Sequence, residues 1–154
     1  MSNQQTILTL AQKRGAEKNL PYAGALTPQE AFEILQDDTK ALLVDVRTKA
    51  ELELVGRVPN AVNVEWAFYP GMVANDDFAE QLSAELNKRR FDKKSVLIFL
   101  CRTGARSNNA ASVAATLGYT QAYNTLEGFE GEANGAKQRT LINGWKHANL
   151  PWSN

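Results

Sequence analysis

The sequence predicts an α/β domain with a mainly parallel central sheet and helices on both faces. Three observations carry this. Short unbroken apolar runs, Ala41 to Val46 and Val96 to Leu100, suit strands covered on both sides. Helix-start signals follow or precede each of them. The two kinds of segment alternate along the chain, as a parallel sheet with helical crossovers requires. At 154 residues the chain is long enough to bury one sizeable core. It is read as an N-terminal arm, residues 1–25, packed on a single domain, residues 26–154.

The elements follow in order. Ile7 to Lys18 reads as a short amphipathic helix with Ile7, Leu10 and Ala11 on one face, although Gly15 disfavours it. Leu20 to Ala25 reads as a loop. Thr27-Pro28-Gln29-Glu30 is a capping box with proline in the first turn, and Ala31, Ile34 and Leu35 form the stripe behind it. The strand Ala41 to Val46 ends at Asp45 and Arg47, at the carboxyl edge where ligands bind in such sheets. Thr48-Lys49-Ala50-Glu51 is a second capping box. Asp45, Arg47 and Glu51 together read as a structural ion-pair and capping network.

Ala61 to Val64 reads as a short strand after a Pro59-Asn60 turn. Trp66 to Met72 reads as an aromatic loop, as packing or as a substrate-side wall. Asn75-Asp76-Asp77 starts a helix through Lys88, with Phe78, Leu82 and Leu86 at helical spacing. Lys88-Arg89-Arg90 is a solvated helix end. Gln121 to Leu126 reads as the last strand, and the glycines of Glu127-Gly128-Phe129-Glu130-Gly131 permit a close backbone approach. Ala133 to Thr140 is polar and irregular. Ile142 to Ala148 reads as a helical turn, with His147 as a surface or packing residue. Leu150-Pro151-Trp152 reads as an anchor.

The most informative stretch is Ser95 to Leu117. A strand, Val96 to Leu100, stops at the single cysteine of the chain. A loop with Gly104 at its centre and Arg102 and Arg106 on either side leads into a helix over Ser107 to Leu117. That places the Cys101 sulfur above a helix N-terminus. The thiolate is the nucleophilic form of cysteine, and an ordinary thiol is only a few per cent thiolate at neutral pH. Favouring the anion by two pH units takes about 2.7 kcal/mol. A helix N-terminus typically supplies about 0.3–1 kcal/mol, so loop N–H groups and the two guanidiniums are needed as well. The same cradle would hold an anion brought to the sulfur. A lone cysteine behind a strand is otherwise a small core hydrophobe, but polar, cationic Arg102-Thr103-Gly104-Ala105-Arg106 is unlike the surroundings of an inert one. Spacing bears on the chemistry. Cysteine-dependent phosphatases place their arginine after five intervening residues, and here four separate Cys101 from Arg106. The tighter loop suits a sulfur or persulfide better than a tetrahedral phosphate.

Cys101 to Ser107, CRTGARS, resembles the active-site loop of the rhodanese family of sulfurtransferases. Leu42 to Thr48 with Glu51, Gly56 to Val64, Leu126 to Gly131 and the ending Asn143 to Trp152 resemble further family stretches in the same order. Arg57 stands where the family commonly has histidine and Asn60 where it commonly has glycine. Asn63 to Ala84 is longer than in the smallest members, as a lid or pocket wall. The resemblance implies the rhodanese fold with about five central strands and sulfur transfer by double displacement. Cys101 would carry a persulfide between a donor such as thiosulfate and a thiophilic acceptor, cyanide or a thiol. Arg102, Thr103, Gly104, Ala105, Arg106 and Ser107 would bind the substrate, with Arg106 either orienting the donor or bracing the loop from within. Asp45, near the site rim, and Arg47 would support it. The rivals are a persulfide carrier or regulatory module without turnover and, less in keeping with the loop length, a phosphatase or arsenate reductase.

Composition narrows the partners. Seventeen Lys and Arg balance seventeen Asp and Glu, which gives no reason to expect nucleic acid or an anionic membrane. One cysteine excludes an intramolecular disulfide framework, and one cysteine with one histidine disfavours a metal site. No cofactor is expected. The expected partners are a small anionic sulfur donor, a thiol or cyanide acceptor and a sulfur-relay protein. The N-terminus lacks the apolar stretch of a secretory signal, so a reducing cytoplasm is the expected compartment.

Overall fold

The computed structural model describes residues 3–154. Its elements are α1 (Asn3–Glu17), β1 (Gly24–Leu26), α2 (Pro28–Asp37), β2 (Leu42–Asp45), α3 (Lys49–Leu54), β3 (Val62–Asn63), β4 (Ala67–Phe68), β5 (Val73–Ala74), α4 (Phe78–Lys88), β6 (Leu97–Leu100), α5 (Ala105–Thr116) and β7 (Ala122–Thr125). Five strands form one sheet in the order β1-β7-β6-β2-β3. Every pairing in it is parallel, so all carboxyl ends lie along one edge. The expected α/β architecture with a mainly parallel sheet is what the chain adopts.

The apolar runs form strands because both of their faces are covered. Leu42, Val44, Leu97 and Phe99 point into one core, with Phe78, Leu82 and Leu86 of α4 and Ala110, Ala111 and Ala114 of α5. Leu43, Ile98, Leu100 and Tyr123 point into the other, with Leu8 and Ala11 of α1, Ala31 and Ile34 of α2, Phe129 and Trp145. Both predicted capping boxes are present: Thr27 and Glu30 close the start of α2, and Thr48 and Glu51 that of α3. Among the described residues no helix is long and apolar enough to cross a membrane.

Three expectations are corrected. Leu20 to Ala25 is not all loop, because Gly24 and Ala25 belong to the edge strand β1, in register with Tyr123 and Asn124 of β7. Strand propensity is low in Gly-Ala-Leu; pairing and burial under α1 create the strand. The helix expected over Ile7 to Lys18 does form, and Gly15 within it faces the Ala23 carbonyl, where a Cβ would come within 2.7 Å. Trp66 to Met72 is not a simple loop but opens a hairpin, with Ala67 opposite Ala74 and Phe68 opposite Val73. Trp66 packs edge-on against Phe78 at 4.9 Å, whereas Phe68, Tyr69, Met72 and Val73 are exposed. At the C-terminus the anchor is Trp145, fully buried with its Nε1–H donating to the Pro151 carbonyl at 2.8 Å; Trp152 is 42% exposed.

Candidate active site

Cys101 follows β6 directly, at the carboxyl edge of the sheet. Two strand-end contacts fix its height. The Val46 N–H donates to the Leu100 carbonyl at 2.8 Å, and the Phe129 N–H donates to the Cys101 carbonyl at 2.8 Å. The Glu130 N–H holds the Arg102 carbonyl at 3.0 Å. This second clamp needs glycine at 128: a Cβ there would lie 2.5 Å from the Arg102 carbonyl group, at a φ of +71°. The close backbone approach expected of that segment is therefore made by Gly128. Gly104, at φ +108°, turns the chain into α5.

Cys101 is 1% exposed and packs among the apolar residues of the first core, where its sulfur still meets two polar groups. Sγ accepts a hydrogen bond from the Gly104 N–H at 3.0 Å and lies 3.2 Å from the Ser107 hydroxyl. Of the loop amides expected around it, Gly104 is the one that reaches Sγ. The helix starts at Ala105, and first-turn N–H groups of a helix have no acceptor within it.

The two arginines flanking the loop differ in role. Arg106 is turned inward and grips Glu51 of α3 with both ends, Nη1–Oε1 at 2.7 Å and Nη2–Oε2 at 2.9 Å. This is the bracing arrangement. Burial pushes the Glu51 carboxyl up, but hydrogen bonds from Arg106 and Thr48, with the Arg106 charge, hold it at about 2. Burial likewise works against the Arg106 charge, and hydrogen bonding to Glu51 together with the Glu51 charge overcomes it, raising the guanidinium above its ordinary value. Arg102 instead projects outward, its side chain 47% exposed and paired with Glu130 at 3.2 Å. Thr103 and Ala105 are exposed beside it.

Asp45 and Arg47 lie beneath the rim. Both are buried, and the Asp45 carboxylate is given to Arg47, with Arg47 Nη2 at 2.7 Å and Nε at 3.0 and 3.1 Å. The Arg47 guanidinium sits 4.1 Å from the centre of the Phe129 ring and donates to the Gly56 carbonyl at 2.9 Å. The pair thus ties β2 to the segment after β7, which holds the cysteine carbonyl. Sequence reasoning missed Phe129 and Asn124. Asn124, 5% exposed at the carboxyl end of β7, accepts from the Ser107 hydroxyl at 2.6 Å. The available signal was a polar pair, Asn124-Thr125, closing the last strand.

A cavity of about 320 Å³ lies at the opposite end of the sheet, lined by Phe32, Leu42, Val58, Pro59 and Phe91 among others. Cys101 is not among its lining residues, which are mostly apolar. His147 is exposed, with Nδ1 3.0 Å from the Thr140 carbonyl.

Comparison with known proteins adds to this geometry. The model of the rhodanese-like domain family matches residues 27–133. An uncharacterised protein of Rickettsia conorii is 34% identical over 123 residues, covering 80% of this chain and 91% of its own. A thiosulfate:glutathione sulfurtransferase of Saccharomyces cerevisiae is 31% identical over 83 residues, 54% of this chain and 58% of its own. The crystal structure of Rv0390 from M. tuberculosis superposes with a TM-score of 0.75 at 41% identity, covering 86% of this chain and 98% of that one.

Proposed function

This chain belongs to the rhodanese-like domain family, and from that premise we propose that it is a sulfurtransferase working by double displacement through Cys101. The observation that carries the reading is the sulfur's setting: Sγ stands at the carboxyl edge of a central strand, over the start of α5, and takes the Gly104 N–H. The Cys101 thiolate attacks the outer sulfur of a donor such as thiosulfate. A new S–S bond forms on Sγ, the donor's S–S bond breaks, and sulfite leaves with the electron pair. Cyanide or a thiol then attacks the outer sulfur of the persulfide, and Cys101 departs as thiolate. No external oxidant or reductant is required.

Each loop residue has a part. Arg102, half-exposed at the mouth, meets the anionic donor and steadies the charge on the leaving sulfite. Thr103 offers a hydroxyl beside it. The unpaired first-turn N–H groups of α5, from Ala105 through Ser107, hold the negative end of donor or persulfide. Arg106, committed to Glu51, keeps the loop in shape. Asp45 and Arg47 support it from below. Because the sulfur is covered, a donor reaches it only when its surroundings open. A small anionic donor, a thiol or cyanide acceptor and a sulfur-relay protein are the partners this chemistry calls for, in a reducing compartment such as the cytoplasm.

That cover also favours a second reading, a carrier that stores a protected persulfide without turnover. A steady-state assay of thiosulfate against cyanide decides between them. Sustained thiocyanate production that disappears in Cys101→Ser supports the enzyme. A single stoichiometric release supports the carrier. An undiminished rate in Cys101→Ser would overturn both. Hydrolysis of an aryl phosphate dependent on Cys101 would move the chain to the phosphatases.

A further inference from the structure

We propose that Asn124 is a positioning residue: it competes with Cys101 for the single proton of the Ser107 hydroxyl and thereby sets the pH at which the sulfur becomes reactive. The proposal deepens the sulfurtransferase reading and rests on its assignment of Cys101 as the reacting atom.

A serine hydroxyl has one hydrogen to give. Ser107 is fully buried, and its Oγ stands between two acceptors, Asn124 Oδ1 at 2.6 Å and Cys101 Sγ at 3.2 Å. The orientation of the Asn124 amide is fixed by its other end. Nδ2 donates to the Gly104 carbonyl at 3.2 Å, so exchanging nitrogen and oxygen would set two acceptors against each other. The Tyr22 hydroxyl adds to this: burial raises it, against a hydrogen bond with Asn124, and it donates to Asn108 Oδ1 at 2.5 Å. With a neutral thiol every group is satisfied: the S–H points at Ser107, and Ser107 at Asn124. With a thiolate the hydroxyl must turn to the sulfur, and the buried Asn124 Oδ1 loses its donor. An unpaired buried acceptor is unfavourable. The Asn124 to Ser107 bond therefore opposes ionisation of Cys101, while the Ser107 hydroxyl itself favours it once turned.

The charged and titratable groups around this triad come from several elements. Arg106 of α5 is paired with Glu51 of α3, and Asp45 of β2 with Arg47. Arg102 on the loop is paired with Glu130, and Tyr22 faces Asn124 from the segment before β1.

Alkylation of Cys101 by iodoacetamide, in which the thiolate forms the S–C bond and iodide leaves, reads this without any sulfur donor. The full-length protein is followed across pH. Removing the competitor in Asn124→Ala should move the pH–rate profile lower by about one unit, a roughly tenfold gain in rate on its acid side. Ser107→Ala should move it higher by about as much. In a Ser107→Ala background, Asn124→Ala should add nothing. Asn124→Leu keeps the side-chain volume and repeats the test should the alanine variant fold poorly by circular dichroism. A loosened loop would shift both single variants the same way. That outcome, an unmoved profile for both Asn124 variants, or an Asn124 effect that survives without Ser107, overturns the proposal. Opposite shifts in a protein that transfers no sulfur would leave the relay standing and sink the sulfurtransferase reading alone.

Discussion

Replacing Glu51 by glutamine tests the inward brace on the Cys101 loop. Glu51 joins α3 to α5 through a two-pronged contact with Arg106, at 2.7 and 2.9 Å, with both side chains less than a fifth exposed. Its carboxyl is held at about 2 rather than 4.5. A gap of that size corresponds to about 3 kcal/mol in favour of the charged form in the folded state. Residual solvent contact and the Thr48 bonds that glutamine can still accept reduce the expected loss to about 2 kcal/mol. For a chain of this length that is a fall in Tm of roughly 4–8 °C. The folded value lies below the unfolded one, so the stabilisation is complete above pH 4.5 and disappears as pH falls toward 2. Urea unfolding of wild type and Glu51→Gln should differ by about 2 kcal/mol at pH 7, with the gap closing in acid. Equal stabilities at pH 7, or a gap just as wide near pH 2, would refute the brace.

Three other outcomes follow from the same geometry. Gly128→Ala forces a Cβ to within 2.5 Å of the Arg102 carbonyl group at positive φ; thermal unfolding should show a loss of about 2 kcal/mol or more, with sulfur transfer falling too. Arg102→Gln should raise the KM for thiosulfate several-fold with little change in Tm, since the side chain is 47% exposed; an unchanged KM would remove Arg102 from donor binding. Asp45→Asn leaves the buried Arg47 guanidinium without its counter-charge and should lower stability by about 3–5 kcal/mol in denaturant titration; a loss below about 1 kcal/mol would mean that another group neutralises Arg47.

Local chemistry made much of the fold readable. Leu42 to Val44 and Leu97 to Leu100 are apolar at every position because both faces of β2 and β6 are buried, and that pattern is visible without coordinates. The capping boxes at Thr27 and Thr48 depend on residues three apart, so they too are local. β1 was hidden because Gly24 to Leu26 becomes a strand through pairing with β7, a partner about a hundred residues away. The hairpin of β4 and β5 was hidden because its aromatics resemble packing residues, and four of its apolar side chains are in fact exposed.

The site was legible to the same degree. The loop from Cys101 to Ser107 is contiguous, and its glycine and arginines announce anion chemistry in one dimension. What sequence could not apportion was the partner of each charge. Whether Arg106 faced out or in turned on Glu51, which lies on another helix. The contact of Asn124 with Ser107 likewise exists only once β7 is laid beside β6.

The most direct measurement is the intact mass of the purified protein after exposure to thiosulfate and again after cyanide. A gain of one sulfur, mapped to Cys101 by peptide analysis and removed by cyanide, is the expected result. Folded protein whose mass never changes, or a sulfur gained equally by Cys101→Ser, would contradict a persulfide at Cys101.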